Sequence, residues 1–336
     1  MPRSKNHQRP LAAFAVLAGV LALAGIGGSI LHGQKGIPER SIEFNESVTL
    51  TVPKGSGRVR IWIPVPADDA DQRTEVLAVR SPYPYRVTRE TAFGNRLLYV
   101  EAEPLPRDGA IEIRTAYKIV RKEQGGSGRA GKTRGPEAAP ALADYLKPRG
   151  LEIVSEKIGR ISLETTKGLQ DPMEKARALY EYVLRHMKYD KTGTGWGRGD
   201  PIYACDAGKG NCTDFHSLFI ALARASRIPA RFRMGIPLPR DPEGAPSGSY
   251  HCWAEFHVEG RGWIPVDISE AWKDPKRAEY FFGHLDADRI LLSTGRELEL
   301  SPKQKGAPLN YLSGPYIEID GKPLNDFKLE RRFRNI

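Results

Sequence analysis

The hydrophobic period of this chain changes part-way along it, and that change limits the folds open to it. Between residues 41 and 121, apolar side chains recur at every second position in several runs. Ser47 to Val52 reads Ser-Val-Thr-Leu-Thr-Val, and Arg58 to Val65 reads Arg-Val-Arg-Ile-Trp-Ile-Pro-Val. Leu97–Ala102 and Ala110–Val120 repeat the pattern, with Gly and Pro clusters between the runs. A period of two sends alternate side chains to opposite faces of a strand, so short runs parted by turns predict a β-sandwich. From Asp171 the period lengthens. Asp171-Pro172 followed by Glu174 is a helix start, with a cap, a proline in the first turn and an acid behind it. Ala176, Leu179, Tyr180, Val183 and Met187 then recur at helical spacing. A glycine-rich loop, Thr192 to Gly210, leads to a second helical stripe of Phe215, Leu218, Phe219, Leu222 and Ala225, which Pro229 ends. Strands are expected at Ala230–Ile236, His251–Val258 and Trp263–Asp267, and a last hairpin at Tyr316–Ile319 with Asp320-Gly321. Helices leading into antiparallel strands give an α+β class for this half.

A chain of 336 residues allows two domains of ordinary size. We divide it into a β-sandwich at 40–122, a linker at 123–138, an α+β domain at 139–310 and a β extension at 311–336. Residues 1–32 read as a signal peptide or an N-terminal membrane anchor. Arg3, Lys5 and Arg9 precede an apolar run from Leu11 to Leu23, and Ala22-Leu23-Ala24 is a small-x-small cleavage pattern. Extended to Leu31, the apolar stretch reaches about 20 residues, enough to span a bilayer uncleaved. Both readings place the remainder outside the cytoplasm, periplasmic or extracellular. The linker contains a formal G-x-G-x-x-G at Gly126, Gly128 and Gly131, but no helical pattern follows it, so a dinucleotide site lacks its context. The net charge of +10 is spread among acids and accompanies no nucleic-acid motif, which argues against a nucleic-acid partner.

The chain has three cysteines, Cys205, Cys212 and Cys252, too few and too odd a number for a disulfide framework in an exported protein. Gly208-Lys209-Gly210-Asn211 runs straight into Cys212. Asn211 is a good cap, so Cys212 falls in the first helical turn, where the dipole and free N–H groups favour a thiolate and offer an oxyanion contact. Asp214 is an adverse charge nearby. A thiol nucleophile needs a base, and His251 opens a strand in which His251, Trp253, Glu255 and His257 share one face. Cys252, Ala254, Phe256 and Val258 share the other, core-like face, which turns Cys252 away from His251 and makes it structural. The turn Glu259-Gly260-Arg261-Gly262 joins this strand to Trp263–Asp267, and hairpin pairing brings Asp267 back towards His251 as its orienting acceptor. Cys212, His251 and Asp267 are therefore the candidate catalytic residues.

Gly210-Asn211-Cys212-Thr213-Asp214-Phe215-His216, His251-Cys252-Trp253-Ala254-Glu255-Phe256 and Gly262-Trp263-Ile264-Pro265-Val266-Asp267 resemble, in that order, the nucleophile, histidine and aspartate motifs of the transglutaminase-like superfamily. The resemblance covers roughly residues 150 to 295. It implies a papain-like core behind a β-sandwich, a catalytic role for 139–310, a thioester intermediate and no cofactor. It also implies a peptide-type amide as substrate, either hydrolysed or transferred to an amine. A protein or peptide partner follows, with cell-wall peptide as one reading. Thr213 stands where the animal cross-linking enzymes have tryptophan, which weakens a cross-linking assignment. The family often draws an oxyanion donor from upstream of the cysteine. Trp196, Tyr203 and Asn211 are candidates, and Tyr203 is the oxyanion candidate we single out. Trp196, Trp253 and Trp272 could line the pocket or belong to the core.

Two other readings compete. Cys205, Cys212, His216, His251, Cys252 and His257 could be grouped as metal ligands, but C-x-x-C and H-E-x-x-H are both missing. His251 and His257 would stand about 20 Å apart along one strand. His216 more naturally packs behind the nucleophile, with His257 at the surface. The other reading is a non-catalytic exported binding or scaffold protein with the same fold.

Overall fold

β1 (Glu39–Thr51) buries every second side chain, from Ile42 and Phe44 to Val48 and Leu50. The computed structural model, which describes residues 38–103, 109–125 and 141–336, builds one sheet around that strand and packs a second sheet against it. β2 (Val59–Pro64), β3 (Gln72–Arg80), β4 (Tyr85–Arg89), β5 (Arg96–Ala102) and β6 (Ala110–Lys122) complete the first part of the chain. The N-terminal 1–32 segment and the glycine motif of the linker lie outside the described residues. No helix among the described residues is long and apolar enough to cross a membrane.

Five helices and seven strands follow. They are α1 (Glu156–Thr165), α2 (Pro172–His186), β7 (Lys188–Tyr189), α3 (Pro201–Ala207), β8 (Lys209–Gly210) and α4 (Cys212–Ala225). Next come β9 (Ala230–Pro237), β10 (Glu243–Gly244), β11 (His251–Val258), β12 (Gly262–Val266), α5 (Ile268–Lys273) and β13 (Arg289–Thr294). The α+β core is the sheet β12-β11-β9-β13 with α4 laid along it. α4 is buried along nearly its whole length as the central helix, including its polar Asp214, His216 and Arg224, which are hydrogen-bonded.

The last strands rejoin the first sheets. β14 (Tyr316–Ile319) pairs with β2 and, through the Asp320-Gly321 turn, with β15 (Lys322–Pro323). β16 (Lys328–Asn335) pairs with β1 from Thr49↔Lys328 to Ile42↔Asn335. The sheet orders are β10-β16-β1-β6-β3 and β15-β14-β2-β5-β4, all antiparallel. Inside the sandwich, Glu46 and Arg331 form a buried pair at 2.6 Å. Ile236 and Leu238 at the end of β9, with Ile290 and Leu292 of β13, pack into the same apolar core as Ile42, Ile61 and Val100. The sandwich is thus fastened directly to the sheet that carries His251.

Several elements had no clear signal in the sequence. β3 is mostly exposed and carries a register shift between Val76 and Ala78, so its pattern does not alternate. α3 lies inside the expected loop, where Asp200 caps it from N-cap and Pro201 is its first residue. β11 departs from the expected half-buried strand. Trp253 and Glu255, on the face opposite Cys252, are both fully buried. Gln124 donates to Glu255 at 3.0 Å and the Arg121 guanidinium lies 6.0 Å from the Trp253 ring, so the end of β6 covers this face. His257, expected at the surface, is half-buried against Trp263.

Gly235 lies opposite His251 on β11 and Leu291 on β13. A Cβ there would meet the Ile290 carbonyl oxygen at 2.2 Å and the Trp253 ring at 2.9 Å. Gly235→Ala is expected to destabilise the protein by at least about 2 kcal/mol, through overpacking against a backbone that cannot yield. Urea denaturation measures this, and an unchanged midpoint would contradict the close approach.

Candidate active site

The nucleophile candidate sits where α4 starts. Asn211 caps the helix by accepting from Thr213 N–H at 2.9 Å, and Asp214 accepts in return from Asn211 N–H at 2.9 Å. Cys212 is therefore the first helical residue, facing the positive end of the dipole. Asp214 also accepts from the N–H groups of Gly197 at 2.7 Å and Gly199 at 3.0 Å. Its carboxylate is occupied in holding the glycine-rich loop beneath the helix, and burial pushes its pKa up. The adverse charge expected beside Cys212 is thus largely spent on backbone donors. Gly210 must be glycine for the same reason, since a Cβ would strike the Asp214 carboxylate at 2.3 Å.

His251 opens β11, and Asp267 ends the β12 hairpin as the N-cap of α5. The hairpin register Ala254↔Val266 carries Asp267 alongside the start of β11. His251 Nε2 donates to Asp267 Oδ2 at 2.7 Å, in a pair that is almost wholly buried. Asp267 Oδ1 accepts from Glu270 N–H and the Ser269 hydroxyl, both at 3.2 Å. With Nε2 engaged, Nδ1 is the ring nitrogen left for the thiol. Burial works against the charged His251 ring, but Asp267 outweighs it and the pKa rises to about 10. Cys212 is held well below the usual thiol range by hydrogen bonding to Cys252 and to His251, against the opposing effect of burial. These directions describe a thiolate beside an imidazolium.

Cys252 is fully buried in the core, on the face that the alternation of β11 predicts. Its side chain lies on the α4 side of the sheet, with Sγ 3.8 Å from Thr213 Oγ1 and 3.7 Å from His216 Nδ1. Because Cys212 begins the helix that covers that face, the Cys252 thiol also meets Cys212 there. Burial, followed by the neighbouring Cys212, pushes the Cys252 thiol up, which leaves it protonated as a donor. His216 packs behind the nucleophile, accepting the Ile268 N–H at 3.0 Å, and burial lowers its pKa to about 4.

Cys212 and His251 open on one cleft of about 720 Å³. Tyr189, Trp196, Asn211, Tyr250, Phe281 and Arg289 line it too. Tyr203 is not among the lining residues. It stands in α3 with its ring against Gly195 and its hydroxyl enclosed without a partner. Instead, Tyr250 reaches the start of α4, where its hydroxyl accepts from Asn211 Nδ2 at 2.9 Å. Of the three tryptophans considered, Trp196 lines the cleft, Trp253 is fully buried and Trp272 lies outside the lining. Among the described residues, no group of His, Cys, Asp or Glu is arranged to hold a metal ion.

Comparison with known proteins agrees with this geometry at the level of fold. Residues 159–268 match the transglutaminase-like superfamily. A protein of Haemophilus influenzae of uncharacterised function is 28% identical over 361 residues, covering 91% of this chain and 95% of its own. The crystal structure of a candidate cysteine protease from Cytophaga hutchinsonii superposes with a TM-score of 0.54 at 15% identity. That match spans 88% of this chain and 90% of the other, so the shared fold extends beyond the core into the sandwich.

Proposed function

From the match of residues 159–268 to the transglutaminase-like superfamily, we propose that the protein is a thiol enzyme acting on peptide-type amide bonds through a Cys212 thioester. The observation that carries this reading is the 2.7 Å His251–Asp267 pair, whose histidine shares one cleft with a cysteine at a helix start. In the reaction, the Cys212 thiolate attacks the amide carbonyl. The imidazolium of His251 then gives its proton to the departing amine, and the thioester remains. Water brought in against neutral His251 hydrolyses it, or a second amine takes the acyl group. Asp267 keeps the ring oriented throughout and stabilises its charged form. In this reading the N–H of Cys212, in the first turn of α4, and the Tyr250 hydroxyl, which accepts from Asn211, donate to the developing oxyanion. The basic, then apolar N-terminal sequence supports an exported location, with cleavage or anchoring as the two forms.

The pKa directions give a test that needs no known substrate. Cys212 is expected to react with chloroacetamide at neutral pH faster than an unperturbed thiol, whose pKa is about 8.5. The rate should fall only when pH drops through the lowered pKa of Cys212, because protonation removes the nucleophilic form. Peptide-level mass spectrometry reads the modification at each cysteine. A Cys212 no more reactive than a free thiol would sink the enzyme reading and favour a binding or scaffold role. Incubation with peptide and wall-fragment libraries, with and without an added amine, then separates release from amine incorporation.

A further inference from the structure

Arg289 opens β13, on the far side of β9 from His251, and no sequence motif marked it. Its guanidinium is fully engaged and buried. Nη1 donates to Asp267 Oδ2 at 2.8 Å, the same oxygen that receives the His251 ring N–H. Nη2 and Nε donate to Asp286 Oδ1 at 3.0 and 3.3 Å. The guanidinium plane lies 5.3 Å from the centre of the Trp253 ring, and that ring is seated where Gly235 has no side chain. Asp286 in turn accepts from Arg277 at 2.9 Å, and Arg277, Asp286 and Arg289 all reach the cleft wall. The charges alternate in sign from Arg277 at the cleft wall through Asp286, Arg289 and Asp267 to His251.

We infer that Arg289 is a positioning residue of the site: its guanidinium locks the Asp267 carboxylate on the oxygen that orients His251 and favours the thiolate of Cys212. The inference rests on the proposed role of Cys212. An arginine is suited to this because its planar fork holds two carboxylates at once, whereas a lysine would present a single point charge. Its positive charge also acts on the pair electrostatically. A buried cation on the Asp267 oxygen that holds His251 opposes the imidazolium and favours the thiolate, so its removal moves both titration limbs to higher pH. The other groups facing this cluster are the same in every variant compared. They are His216 and Cys252 on the α4 side, Glu270 and Lys273 from α5, Tyr180 from α2 and Arg121 from β6.

The test uses the full chain and follows alkylation of Cys212 by chloroacetamide against pH, with thermal unfolding in parallel. Arg289→Met is expected to raise the acid limb of Cys212 alkylation by at least about 1 pH unit. It should also lower kcat by about 100-fold on any substrate found, with little change in KM, because a displaced Asp267 misaligns His251. Arg289→Lys should return the limb to its parent position while restoring kcat only in part. Asp286→Asn provides a second variant should Arg289→Met fail to fold. Loss of that negative charge should move the acid limb down, the opposite direction, which general destabilisation would not produce. If Cys212 in the parent protein shows no selective alkylation, the functional reading itself fails. If the parent alkylates selectively while the limbs of both variants coincide with its own, Arg289 is only a structural ion pair and this inference is overturned.

Discussion

Cys212→Ala is expected to lower amide turnover by on the order of 10⁵-fold, since it removes the atom that carries the acyl group. The substitution deletes one atom from an almost fully buried side chain, so the fold should lose only about 1 kcal/mol. Loss of activity and retention of the unfolding midpoint would therefore be seen together. Alkylation of the protein at neutral pH should disappear with Cys212, because Cys205 and Cys252 are buried and burial raises both thiols. A variant that kept more than a small fraction of the parent rate would place the nucleophile elsewhere.

Asp267→Asn has the second largest expected effect, a loss of about 10⁴-fold in turnover. An amide of the same shape can still cap α5, but it carries no charge for His251 or Arg289. The sign of the pH effect follows directly. Asp267 is what raises His251 to about 10 against the pull of burial, so its removal lets burial prevail and the ring falls back towards or below 6.5. With His251 neutral, Cys212 loses a main support for its thiolate, and alkylation at neutral pH should slow sharply. It should recover above the ordinary thiol pKa of about 8.5, where hydroxide alone generates the thiolate. Arg289 is left buried with Asp286 alone, and the fold should lose about 3 kcal/mol. Unchanged alkylation at neutral pH would show that the pair does not set the thiolate.

The parts of this molecule that could be read in the sequence are those governed by local rules. Asn211 before Cys212 specifies a helix start, and α4 begins at that residue. Alternation from Tyr250 and the turn at Gly260 predict a hairpin, and its register brings Asp267 within 2.7 Å of His251. What escaped depends on contacts distant along the chain. Nothing near Arg289 in sequence tells that its guanidinium will meet Asp267. The Ile290-Leu291-Leu292 run is too short for periodicity to separate strand from helix. Alternation puts Cys252 on the core face, but it cannot say which helix covers that face or that Cys212 meets Cys252 there. Tyr203 lies upstream of Cys212, where the resemblance looks for an oxyanion donor, yet α3 turns it into the packing beneath Gly195, while Tyr250, just before β11, reaches the cleft.

The pairing of β1 with both β6 and β16 has a consequence for how this chain must assemble. Ile42 has Ile119 on one side and Asn335 on the other, so one neighbour is near at hand and the other lies almost a whole chain away. Closing a loop of that length carries a large entropic cost before any contact rewards it, and sheets of such high contact order form late. The α+β region is, in effect, an insertion whose two ends are both returned to the sandwich. Arg331 of β16 also donates to the Ser249 carbonyl, fixing the segment that forms one wall of the cleft. Until β16 docks, the thiol of Cys212 faces a cleft with an untethered wall, so the strand that seals the scaffold is also the one that completes the site.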